Sequence, residues 1–181
     1  INKGHHVAVG LNRPRLAEVG EARRTVAVVL DLAVQLGGFV AQLGLGGVRS
    51  VALCYEGHAT EVNTALVTQS CLAGLLAPVL RTINIVSSRD IASERGIEVS
   101  ETRRTQSRNY QTLISLTVGS AKETFVVRGT LFDGNKPRMV EIQGISIEFE
   151  IVPHMLFVAT LDKPGMIGAV GGVLADEQIN I

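Results

Sequence analysis

Tryptophan is absent from this chain of 181 residues, and aromatics make up only 4% of it, so any core has to be aliphatic, drawn from a hydrophobic content of 46%. With only two cysteines, Cys54 and Cys71, neither a disulfide framework nor a cysteine metal site can be built. Each lies in an apolar stretch and reads as a small buried hydrophobe. Charge of one sign is not in excess either: Lys+Arg and Asp+Glu number 17 each, which argues against a nucleic-acid footprint. The local arginine groups (Arg13, Arg15, Arg23, Arg24, then Arg103, Arg104, Arg108) read as solvated faces or loops. The four histidines, His5, His6, His58 and His154, lack ligand spacing, so no metal is expected. No run of 18 apolar residues occurs, so no membrane-spanning helix is expected. Ile1 is not an initiator methionine and no signal-peptide anatomy follows it; the simplest expectation is a piece of a longer, soluble, intracellular protein. A P-loop, a Ser-His-Asp arrangement, paired carboxylates in an apolar setting and a complete dinucleotide fingerprint are all missing, which favours a binding or regulatory module with no catalytic residues of its own.

What is present is a clear change of period along the chain. Residues 1–20, punctuated by Gly4, Gly10, Pro14 and Gly20, read as a connector. From Glu21 to Leu43 the apolar residues Val26, Val29, Leu30, Ala33, Leu36, Val40 and Leu43 recur at helical spacing, although Gly37-Gly38 weakens the middle. Gly44-Leu45-Gly46-Gly47 reads as the helix stop and not as a cofactor loop, because Arg49 stands where a third glycine belongs and no strand precedes it. Val48–Tyr55 reads as a strand, Glu61–Ala77 as a helix broken near Pro78, and Ser88 as the N-cap of a helix over 89–95 that stops at Gly96. Ile97–Glu101 alternates as a strand, and 102–109 reads as a polar loop or irregular edge. Strand patterns then follow around Ile114–Val118, Phe125–Leu131, Arg138–Ile142 and Ile145–Ile151, the last with one buried and one wet face. Helices first and a meander after predict an α+β domain over 21–152, with helices packed on a mostly antiparallel sheet.

The tail from 153 to 181 begins a different unit. Met155–Leu161 reads as a strand, Asp162-Lys163-Pro164-Gly165 as a turn opening a helix, and Ile179-Asn180-Ile181 as the start of a second strand. Along the helix Gly168, Gly171, Gly172 and Ala175 form a small-residue stripe, which calls for a packing reason, since each glycine costs about 1 kcal/mol against alanine. Asp162 can serve either as a plain N-cap or, beside free helix N–H groups, as the ammonium contact of an amino-acid ligand.

The run Asp162–Ile181 resembles the first half of an ACT domain, a ferredoxin-like βαβ module that senses small molecules in amino-acid metabolism. Asn84–Glu101 and Gly129–Gly144 resemble the intervening domain of long D-3-phosphoglycerate dehydrogenases, and Asn12-Arg13-Pro14 resembles the exit from that enzyme's substrate-binding domain. The resemblance implies the regulatory part of an NAD-dependent oxidoreductase that converts 3-phosphoglycerate to 3-phosphohydroxypyruvate, the first step of L-serine synthesis. The NAD would belong to the parent enzyme and not to this stretch. It further implies L-serine as effector at Asp162 and Asn180, with Thr160 facing the same site where the family carries His or Tyr. A phosphorylated or anionic effector at Arg138 and Lys136 is implied as well, although Glu150 stands at a second position that is basic in relatives. Homo-oligomerisation through both modules and a cytoplasmic location, or a plastid one in plants, complete the expectation. An effector-binding module of another protein, such as an iron–sulfur L-serine dehydratase, is the alternative.

Overall fold

The computed structural model describes residues 16–80, 82–106, 109–152, 154–159 and 164–179. The chain divides into two units, Ile1–Ile151 and Val152–Ile181.

The first unit runs α1 (Leu16–Gln42), β1 (Val48–Gly57), α2 (Thr64–Leu76), α3 (Ser88–Glu94), β2 (Glu98–Arg104), β3 (Thr112–Ser120), β4 (Thr124–Phe132), β5 (Lys136–Ile142) and β6 (Ile145–Phe149). Its strands form one sheet in the order β2-β1-β3-β4-β5-β6. β1 and β2 pair in parallel, and every other neighbouring pair is antiparallel. This is the α+β, mostly antiparallel arrangement expected from the switch of period. Turn chemistry enforces the meander: Gln143 and Gly144 both hold positive φ, 51° and 81°, in the two-residue connection between Ile142 and Ile145. Left-handed backbone at both central positions matches the twist of the flanking strands.

Alternation puts Val51, Leu53 and Tyr55 of β1 and Ile114, Leu116 and Val118 of β3 on one face, where all are buried beneath the helices. There they meet Leu32 and Leu36 of α1 and Leu72 of α2. The helices cross at two glycines. A Cβ at Gly37 would overlap the carbonyl oxygen of Cys71, and one at Gly74 would overlap that of Val34. The glycine pair that weakens the helix pattern therefore has a packing reason at Gly37: only a missing side chain lets the backbones approach this closely. By length and composition Arg23–Gln42 could cross a bilayer. Its residues Val29, Leu32, Leu36 and Val40 are instead buried in this core.

Several local expectations give way to tertiary structure. α1 begins at Leu16, inside the segment expected to be a connector. α2 begins at Thr64 after Asn63, because a 3-10 turn occupies His58–Thr60. Ser87, not Ser88, holds the N-cap position of α3. Ser88 is buried, and its hydroxyl donates to the carbonyls of Gln69 at 2.8 Å and Ile85 at 2.9 Å, tying α3 to α2. β2, an edge strand, continues through Arg104 into the segment expected to be a polar loop or irregular edge, because parallel pairing with β1 runs to Glu56↔Arg104. β6 ends at Phe149, and its supposed buried face is open at Ile145 and Ile147.

The second unit holds α4 (Met166–Asp176). Its N-cap position is Gly165, at φ 89°, so Pro164 lies in the preceding turn and not in the first turn of the helix. Residues 154–159 form no strand and are exposed, correcting the strand expected from Met155; a strand needs a ladder partner, and none pairs with it among the described residues. No residue of α4 is buried, and a Cβ at Gly168, Gly171 or Gly172 would meet no atom within 4 Å. The packing reason expected for that stripe is not found among the described residues.

Candidate functional site

The face of the sheet opposite the helices carries polar residues by the same alternation that fills the core. Cross-strand register does the positioning. Glu56 of β1 lies opposite Arg104 of β2, and Arg128 of β4 lies opposite Glu141 of β5. Both pairs close into salt bridges, Arg104 Nη1 to Glu56 Oε1 at 3.6 Å and Arg128 Nη1 to Glu141 Oε2 at 3.1 Å. They line one cavity of about 820 Å³, together with Arg103, Asn109, Tyr110 and Ser146. Three guanidiniums (Arg103, Arg104, Arg128) against two carboxylates (Glu56, Glu141) leave one positive charge in excess on its wall. The Nε of Arg128 is buried and has no hydrogen-bond partner among the described residues. A buried donor without an acceptor is costly, and a bound oxyanion would remove that cost.

Arg103 connects the cavity wall to the helical layer. Its guanidinium donates to the hydroxyl of Thr64 in the first turn of α2, and that hydroxyl donates to Glu101 Oε2 at 3.2 Å. Glu101 also receives Arg89 of α3 at 2.9 Å. Burial alone would push the Glu101 carboxyl up, but hydrogen bonds from Arg89, Thr68 and Thr64 outweigh it and hold the group below its ordinary value. Beneath this network the hydroxyl of fully buried Tyr55 lies 2.6 Å from Thr68 Oγ1 and donates to the Thr64 carbonyl at 3.3 Å. Burial raises its pKa far above the usual phenol value. Cys54 lies on the open face near Glu56; burial raises its thiol pKa, the Arg104 charge opposes that, and Glu56 adds to it.

Of the residues singled out from sequence, Arg138 and Lys136 fall elsewhere. Arg138 Nη1 is 3.0 Å from Glu150 Oε2, and Lys136 Nζ is 3.4 Å from Asp133 Oδ2, so each cation is already engaged by a carboxylate. Neither lines the cavity. Thr160, Asp162 and Asn180 lie outside the described residues. The arginines of the cavity had a signal in sequence: Arg128 sits between Val127 and Gly129 in an alternating strand, and the Arg103-Arg104 pair lay in what read as a loop. A dinucleotide cofactor does not fit Gly44–Gly47, which follows helix α1 and leads into strand β1, the reverse of the strand–glycine loop–helix order such a site needs.

Residues 25–143 match the family model described as the D-3-phosphoglycerate dehydrogenase intervening domain. The chain is 33% identical over 180 residues to D-3-phosphoglycerate dehydrogenase of Bacillus subtilis, an alignment covering 99% of this chain and 34% of that protein. It is 35% identical over 154 residues to the enzyme of Archaeoglobus fulgidus (84% and 29%) and 36% identical over 151 residues to that of Methanocaldococcus jannaschii (83% and 28%). The chain thus spans about a third of the length of these relatives.

Proposed function

The chain belongs to the D-3-phosphoglycerate dehydrogenase intervening-domain family, and on that premise we propose that it is a regulatory part of an NAD-dependent D-3-phosphoglycerate dehydrogenase. In this reading the oxidation of 3-phosphoglycerate to 3-phosphohydroxypyruvate is carried by residues outside this chain. The chain supplies effector binding and subunit association. The match over residues 25–143 carries the reading. The cavity on the open sheet face supports it, because guanidinium donors around an excess positive charge suit a small carboxylate or phosphate effector. The tail contributes L-serine sensing, Asp162 taking the ammonium group and Asn180 and Thr160 completing the contact. Feedback then requires serine to bind two conformational states with different affinity.

Calorimetric titration of the full-length enzyme with L-serine, beside inhibition assays, tests the serine arm; neither heat nor inhibition would remove it. Asp162→Ala should weaken serine binding by about 1–3 kcal/mol, and unchanged affinity would remove Asp162 from the serine contact. Titration with inorganic phosphate tests the cavity: Arg128→Ala should lower its affinity about tenfold or more, and an unaltered isotherm would exclude the cavity as the anion site.

A further inference from the structure

A second cavity, of about 580 Å³, lies where the C-terminal ends of α1 and α2 meet the turn between α3 and β2. It shares no lining residue with the cavity on the open sheet face and has the opposite character. Val40, Leu75, Leu76 and Ile97 are buried in the core and form its inner wall, while Val79, 67% exposed, and the loop 44–47 lie at its outer side. Arg95 is the one charged residue of the lining, and no other lining side chain is polar. Local structure puts it there. The chain turns at Gly96, Ile97 N–H donates to the Ala92 carbonyl at 2.9 Å, and the turn buries Ile97 while leaving Arg95 exposed beside it. Unlike Arg89, Arg104, Arg128 and Arg138, Arg95 has no carboxylate within ion-pair distance among the described residues. The N–H groups of the loop 44–47 donate to no backbone carbonyl among the described residues either, which adds donors at the same cavity. An apolar cavity with a few polar groups to fix orientation is the usual form of a small-molecule site, at roughly 300–1,000 Å³.

We propose that this cavity binds a linear aliphatic monocarboxylate, its hydrocarbon chain against the inner wall and its carboxylate on the Arg95 guanidinium. Two features choose the ligand class. A lone guanidinium matches the single charge and the fork geometry of one carboxylate. The wall offers no side-chain partner to a hydroxyl or an ammonium group, so a polyol or an amino acid would give up its hydration without replacement. A compact anion such as phosphate would use Arg95 and leave the wall unfilled; a neutral alkane would do the reverse. The inference needs neither the serine reading nor the sheet-face cavity, and it stands if both fail.

Isothermal titration of the whole chain with sodium butanoate, hexanoate and octanoate tests it. Affinity should rise about three- to fourfold for each added methylene. Arg95→Met keeps an unbranched apolar stem and removes the charge; it should weaken octanoate about tenfold and leave the affinity for octan-1-ol unchanged. Ala41→Leu adds bulk to the lining and should weaken octanoate more than butanoate. Arg128→Ala, on the sheet face, should change neither. No binding by any member of the series would overturn the site. Binding that ignores chain length would make Arg95 a plain anion contact and overturn the apolar slot. Octanoate affinity that survives both Arg95→Met and Ala41→Leu, or that falls in Arg128→Ala, would place the ligand elsewhere and overturn the proposal as well.

Discussion

Replacing Gly37 with alanine should destabilise the first unit, although alanine is the better helix former. The methyl would overlap the Cys71 carbonyl oxygen and stand 2.8 Å from the backbone nitrogen of Leu75. Both obstacles are main chain, so no rotamer change relieves them, and α1 must move away from α2. Overpacking of this kind costs about 1–3 kcal/mol, and backbone against backbone belongs at the upper end. The gain in helix propensity returns about 1 kcal/mol. The net loss is then about 2 kcal/mol, a fall in Tm of roughly 4–8 °C for a chain of this size. The next residue is the control: a Cβ at Gly38 meets no atom within 4 Å, so Gly38→Ala should gain about 1 kcal/mol. Thermal melts and urea titrations of the two variants, followed by circular dichroism, measure the difference. A Gly37→Ala protein as stable as Gly38→Ala would refute the close helix crossing.

Removing the Tyr55 hydroxyl in Tyr55→Phe should cost about 1–2 kcal/mol in urea titrations, because Thr68 Oγ1 loses a buried partner. Glu101 has a depressed carboxyl pKa in the folded chain, so the folded state binds fewer protons than the unfolded one as pH falls. Its contribution is present above the ordinary carboxylate pKa and is lost as pH drops through the folded value; urea midpoints between about pH 5 and pH 3 should fall less steeply in Glu101→Gln. Cys71, fully buried and pushed up to about 12, should resist iodoacetamide until urea unfolds the chain, while half-buried Cys54 reacts slowly in the native state; mass spectrometry of the alkylated protein reads both.

The period of apolar residues was enough to read α1, β1 and the strands β3–β5, because each buries one face and the alternation records which. It was not enough for β6. Ile145 and Ile147 follow the same alternation as Ile114 and Leu116, but alternation does not reveal whether a helix lies over a strand at the edge. The Ser87/Ser88 cap failed for a similar reason: Ser88 spends its hydroxyl on Gln69 of α2, a partner nineteen residues away that local sequence does not announce. The cavity was the least legible part. Glu56, Arg104, Arg128 and Glu141 come from four strands, and only the register brings them together.

The lone parallel pairing has a kinetic consequence. β3 to β6 can zip through short turns, whereas β1 cannot receive β2 until α2 and α3 have been laid down between them. Contacts of high sequence separation form late. The other partner of β1, β3, lies farther still along the chain (Leu53↔Leu116 against Leu53↔Glu101), so until both arrive the Val-Ala-Leu-Cys-Tyr stretch of β1 shows two open flanks, an uncharged, β-prone template of the kind that recruits other chains. Closure by β2 on one flank and β3 on the other thus acts as the chain's own protection against aggregation, and a nascent or truncated chain that ends before Glu98 would go without either.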